Sequence, residues 1–170
     1  MSTFRIDFDQ KDLVRMYKTL DKVGASPQKA LNKGTSKAAA ITKRAIKAVA
    51  PVAKKDDGHK GALKRNIITK TERSSKRGKK VRETTMRGGA EANAIFQKQI
   101  YNPGALGGGS PYAYYPSSME YGYLARAKGG GVQYIEGRHF MRGGAESASE
   151  PAKQAMIETM TKELDKIWQS

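Results

Sequence analysis

The stretch SPQKALNKGTSKAAAITKRAIKAVAP, residues 26–51, decides the fold. A serine hydroxyl at Ser26 can cap free backbone N–H groups, and Pro27 suits the first helical position, where an N–H would go unbonded anyway. Pro51 stops the helix. Between these signals Ala30, Leu31, Gly34, Ala38, Ile41, Ala45 and Val49 make a stripe of small apolar residues, while Lys33, Lys37, Arg44 and Lys47 fall on the other side. The spacing predicts a helix over 26–50 whose small side chains let a neighbouring backbone come close.

Upstream, Phe4, Ile6 and Phe8 alternate with Arg5 and Asp7, the period of a strand over 3–8 with one buried face. Asp9 then caps a helix over 9–23, with Leu13, Met16, Tyr17, Leu20 and Val23 on one face, Lys11, Arg15, Lys18 and Lys22 on the other, and Gly24 at its end. Downstream, RNIITKTERSSKRGKKVRETTMRGG reads as a hairpin with β-branched strands over 66–73 and 79–87. Residues 92–101 are a further candidate strand, although a short helix fits nearly as well.

The last element is a helix over 145–168, with Ala152, Met156, Met160, Leu164 and Trp168 on one face and Glu158 placed to support Lys162; Pro151 is tolerable only near its start. Residues 51–62, 74–79, 102–111 and 124–138 read as flexible loops, two of them glycine-rich. Together these elements predict one α+β domain spanning 1–170, a small antiparallel sheet covered on one face by helices.

Charge is unevenly spread. Thirty-two Lys and Arg against sixteen Asp and Glu leave a net charge of +16. Residues 22–55 hold nine basic residues and no acidic one, and 60–82 hold ten against Glu72 alone. Lys33, Lys37, Arg44 and Lys47 on the helix, with Lys76, Arg77, Lys79 and Lys80 at the hairpin turn, form a candidate basic contact surface for DNA phosphates or an acidic protein.

Catalytic signals are missing. The loop GALGGGSP lacks the Gly-Lys-Ser/Thr of a phosphate-binding loop, and the chain has no G-x-S-x-G, H-E-x-x-H or strand-borne G-x-G-x-x-G. His59 and His139 lie eighty residues apart without evident co-ligands, and zero cysteines exclude disulfides and thiolate metal sites. The reading is no enzyme, no metal and no cofactor. No run approaches the ~20 apolar residues of a membrane span, and the first residues lack a signal-peptide core, so a soluble cytoplasmic protein is expected.

The segment YAYYPSSMEYGY, residues 112–123, holds five tyrosines and no Lys or Arg. On a helix, Tyr114, Ser118 and Tyr121 share one face while Tyr115 and Met119 fall on another, so one surface cannot bury them all. The rings are separated from the basic residues, which argues against base stacking, and tyrosine is enriched at protein interfaces. Tyr114, Tyr115, Met119, Glu120, Tyr121 and Tyr123 are therefore candidates for partner contact, with Phe140, Met141 and Arg142 placing the last helix. Glu120 is expected to pair with a cation or cap a backbone turn rather than act as a base.

The order of motifs resembles the neck or tail-completion family of long-tailed bacteriophages, the gene-product-ten-like minor tail components. A family segment "aP..tG.L..si" is matched by Pro51, Gly61, Leu63, Arg65, Asn66 and Ile67; "YA.yvE.Gt" by Tyr112, Ala113, Tyr115, Glu120, Tyr121 and Gly122; "pFmrpA" by His139, Phe140, Met141, Arg142 and Ala145. The departures are Tyr123 for threonine, His139 for proline, RGGA for RPA, and two glycine-rich insertions. The resemblance implies a non-catalytic virion protein at the head–tail junction, assembled in several copies as a ring. Its implied partners are head-closure, terminator or tail-tube subunits, with DNA contact also open and no membrane.

Overall fold

A computed structural model describes residues 11, 14, 15, 18, 27–52, 60–73, 78–99, 112–126 and 130–168. The strand expected over 3–8 lies outside these residues, as does most of the helix over 9–23; Lys11, Val14, Arg15 and Lys18 are helical. The elements are α1 (Pro27–Val49), α2 (Ala62–Asn66), β1 (Ile67–Thr71), β2 (Arg82–Met86), α3 (Ala90–Phe96), β3 (Gln97–Gln99), β4 (Tyr112–Tyr114), α4 (Tyr115–Tyr121), β5 (Gly122–Arg126), β6 (Val132–Glu136) and α5 (Phe140–Trp168). The fold is α+β with helices dominant.

The frame is an antiparallel pair of long helices, α1 against α5, and glycines set how near they come. A Cβ on Gly34 would lie 2.6 Å from the Met160 Cγ, and a Cβ on Gly144 would lie 2.6 Å from the Ile46 Cα, so the backbones touch near both ends of the pair. Leu31, Ala38, Ala152, Met156 and Met160 fill one stretch of the seam. At the other end Ile46, Leu63, Ile67, Met86, Phe96 and Phe140 form a second cluster under the β1–β2 hairpin.

The buried stripe of α1 is rotated from the expected one. Thr35, Thr42 and Ile46 are buried, whereas Val49 is exposed and Ile41 and Ala45 are half-buried. The hydroxyls permit this by bonding back into their own helix: Thr35 Oγ1 donates to the Leu31 carbonyl at 2.8 Å and Thr42 Oγ1 to the Ala38 carbonyl at 3.1 Å. A threonine that satisfies its oxygen locally can be buried like a small aliphatic residue.

In place of the expected single sheet, the described residues form three two-stranded antiparallel ribbons, β1–β2, β3–β4 and β5–β6. In the first, Ile67 opposes Met86 and Thr71 opposes Arg82, shorter by a residue or more at each end than the runs over 66–73 and 79–87. Of the segment 92–101, residues 92–96 are helical and Gln97–Gln99 extended, because Ala92 and Phe96 at four-residue spacing both enter the core, and 100–101 lie outside the described residues. Residues 124–138, read as a loop, contain most of the β5–β6 hairpin.

The last helix starts five residues earlier than expected and places Pro151 in its interior. Pro151 faces solvent, and Ala148 and Ala152 on either side of it are buried against α1. Tertiary packing thus carries the helix through a residue that would end an isolated one. Glu158 and Lys162 make no ion pair; the bridges on α5 are Arg142–Glu146, Glu150–Lys153 and Glu163–Lys166.

Candidate functional site

The tyrosine segment divides into β4, α4 and the first residues of β5, and the division sorts its rings. Tyr114 ends β4 and turns inward, meeting Phe96 edge to face with centroids 5.9 Å apart. Burial pushes its phenol above the ordinary value, and its hydroxyl has no hydrogen-bond partner among the described residues. Pro116 at the start of α4 is buried and Met119 packs on the core, whereas Tyr115, Tyr121 and Tyr123 are exposed. The expected shared face of Tyr114, Ser118 and Tyr121 does not form, because Tyr114 precedes the helix.

Glu120 corrects one expectation and fulfils the physics of another. It cannot meet a partner, being 3% exposed. Its carboxylate instead accepts the backbone N–H of Met141 at 2.8 Å and of Arg142 at 3.1 Å, in the first turn of α5. Those N–H groups have no carbonyl partner within their own helix, and the positive end of the helix dipole favours an anion there. Glu120 is thus an N-terminal cap supplied by a different element.

Backbone bonds complete the junction. Arg138 donates its N–H to the Met119 carbonyl at 2.8 Å, and His139 to the Glu120 carbonyl at 3.2 Å. His139 itself has φ 46, a left-handed conformation that lets its carbonyl accept the Gly143 N–H at 2.7 Å as α5 begins. Gly137 is pressed so closely on the backbone of Glu120, Tyr121 and Gly122 that a Cβ would collide with it. Phe140 and Met141 are buried beside Ile46 and Ala145, and Arg142 is exposed, its guanidinium held above the ordinary value chiefly by its hydrogen bond to Glu146.

From this junction projects the β5–β6 hairpin. Opposed residues share a face, so Leu124 and Tyr134 lie together with Val132 on one side, and Tyr123 lies with Ile135 on the other. Leu124, Val132 and Tyr123 are exposed, and Tyr134 is 60% exposed. Only the Tyr134 hydroxyl reaches back, donating to the Tyr121 carbonyl at 2.5 Å while its ring covers Gly122, whose φ of 88 and lack of Cβ make the space. A two-stranded ribbon with large apolar groups on both faces is marginal in water and gains by being covered.

Leu124, Val132 and Tyr134 escaped sequence reasoning. A signal was present: apolar runs on both sides of a three-glycine turn, the pattern of a hairpin. The cavity beside the junction, lined by Thr85, Tyr114, Pro116 and Tyr121 among others, measures about 30 Å³, room for a water rather than a metabolite. No group of His, Cys, Asp and Glu among the described residues has metal-binding geometry, and no helix is long and apolar enough to cross a membrane.

The basic candidates fare unevenly. Lys37 and Arg44 are exposed and Lys47 is half-buried on the solvent side of α1, but Lys33 bonds Glu163 of α5 at 2.5 Å. Lys79 lies 3.8 Å from Glu72 across its own hairpin and Lys80 is half-buried, while Lys76 and Arg77 fall outside the described residues.

A family model described as "HK97-gp10_like: Bacteriophage HK97-gp10, putative tail-component" matches residues 15–116, from before α1 to the start of α4. The motif around Glu120 and the one at 139–145 lie beyond the end of that match. No curated protein and no solved structure matches the chain.

Proposed function

We propose, from the premise that the chain belongs to the HK97-gp10-like family of bacteriophage tail components, that it is a structural virion protein acting at the head–tail junction. Several copies assemble there to complete the tail or join it to the filled head. The family membership places the protein with other tail components; the junction and the multiple copies are our own step beyond it.

The observation that carries this reading is the β5–β6 hairpin. Its open strand edges and its exposed Tyr123, Leu124, Val132 and Tyr134 offer backbone pairing and apolar area to a neighbouring subunit. The hairpin is aimed by the Glu120 cap, which fixes its base to the longest helix in the described chain. Tyr115 and Tyr121 on α4 are exposed as well. A ring subunit needs such a heterologous surface, one that meets a different patch on the next copy.

Deleting the gene from the producing phage and imaging lysates by electron microscopy tests the proposal. The expected result is filled heads alongside separate or malformed tails. Normal infectious particles would rule it out.

A further inference from the structure

Helix α1 carries Lys29, Lys33, Lys37, Lys43, Arg44 and Lys47 and no acidic residue. At 100° per residue all six project within about 120° of arc, and they span about 27 Å of helix axis. The buried positions Leu31, Ala38 and Ile46 occupy the opposite arc. Only Lys33 meets a carboxylate among the described residues; the other five have no ion-pair partner. The neighbouring helix behaves differently, since Arg142, Lys153 and Lys166 on α5 are each bridged to a glutamate.

Further cations stand near the start of the helix, off this arc. Gly78, in the turn between β1 and β2, donates its backbone N–H to the Gln28 side chain at 3.2 Å. Gln28 at the start of α1 and Gly78, fifty residues apart in sequence, are therefore adjacent. Lys70 and Arg73, on and just past β1, are exposed as well.

We infer that the solvent face of α1 is a binding surface for the phosphate backbone of duplex nucleic acid, read without regard to sequence. The composition of the face favours a polyphosphate over an acidic protein. Between its cations stand Ser36, Ala40 and Ala48, with no exposed aromatic or large apolar group until Val49. Protein interfaces draw their affinity from buried aromatic and apolar anchors, whereas phosphate contacts need only positioned cations and the counterions they release. The exposed aromatic and apolar residues of β5–β6 belong to a different element, so the two contact chemistries are carried by separate parts of the chain. The inference is independent of the docking role of that hairpin.

The test is fluorescence anisotropy of labelled mixed-sequence duplex DNA with the full chain across a salt series. With about five phosphates neutralised, log affinity should fall against log salt with a slope of about −4 to −5. The variant Lys37→Gln, Arg44→Gln, Lys47→Gln should lower the magnitude of that slope by about 3. A matched variant on α5, Lys153→Gln, Lys162→Gln, Lys166→Gln, removes the same charge and should leave the slope within about one unit. Circular dichroism confirms that both remain folded. Absence of binding at low salt, equal loss in the two variants, or stronger binding to polyglutamate than to DNA of equal charge would each overturn the inference.

Discussion

The carboxylate of Glu120 accepts the backbone N–H of Met141, so a side chain on the short helix α4 caps a helix that begins twenty residues later. The bond ties the tyrosine segment, the β5–β6 hairpin and the α1–α5 frame at one point. Glu120→Ala leaves two N–H groups without their charged acceptor and should cost about 2–4 kcal/mol. Glu120→Gln keeps one acceptor and loses the charge, and should cost about half as much. Urea unfolding followed by circular dichroism measures both; equal stability of the alanine variant and the wild type would remove the cap from this account.

The two glycines of the helix seam should respond differently to alanine. At Gly144 a methyl group would press on the Ile46 backbone, which cannot yield without moving α1. At Gly34 the nearest atom is the Cγ of Met160, part of a flexible chain, although the Met156 carbonyl at 3.1 Å leaves little slack. Gly144→Ala should therefore destabilise by about 1–3 kcal/mol, while at Gly34 the gain in helix propensity, about 1 kcal/mol, offsets much of the clash. Thermal melting of the two variants checks the order.

The Lys33–Glu163 bridge makes the helix pair sensitive to acid. Hydrogen bonds from Lys33 first, and then from Lys166, hold the Glu163 carboxyl below its ordinary value of 4.5. A folded-state value below the unfolded one means that its contribution is complete above pH 4.5 and fades as pH falls through the lowered value. Wild type and Glu163→Gln should thus differ in urea midpoint at pH 7 and converge toward pH 3. A difference that stays constant over that range contradicts the assignment.

How much of this was legible in the sequence depended on where each residue finds its partner. The α1 boundaries were readable because Pro27 and Pro51 act through the local backbone, whereas the start of the last helix at Phe140, five residues before the expected 145, was not. The register of the α1 stripe was not readable, since a buried threonine such as Thr42 looks polar until its hydroxyl is seen bonded to Ala38. Pro151 misled for a related reason: its local penalty is real, and packing of Ala148 and Ala152 against α1 outweighs it. Among site residues, the capping role of Glu120 could be foreseen from its chemistry, but its target, Met141, required the fold.

A proline in place of His139 should be harmful. Its φ of 46 is outside the range a pyrrolidine ring allows, and its N–H is bonded to the Glu120 carbonyl. His139→Pro should destabilise by about 2–4 kcal/mol, whereas His139→Gly, free to adopt the angle, should change stability by less than about 1 kcal/mol. Equilibrium unfolding of the two variants decides it, and a stabilising proline would contradict a left-handed turn at this residue.

The rings of the tyrosine segment can now be assigned by separating folding from assembly. Tyr114 is core, packed on Phe96, so Tyr114→Ala should cost about 2–4 kcal/mol. Tyr114→Phe removes a hydroxyl with no partner among the described residues and should be close to neutral. Leu124→Asp and Val132→Asp act on the exposed hairpin face and should change the melting temperature of the free protein little, yet abolish complementation of a phage lacking the gene. Tyr115→Ala and Tyr121→Ala, on exposed parts of α4, should behave like the hairpin variants in weaker form. Loss of infectivity with the fold intact is the signature of a docking surface. Full complementation by Leu124→Asp would show that the hairpin is not where this subunit meets its neighbour.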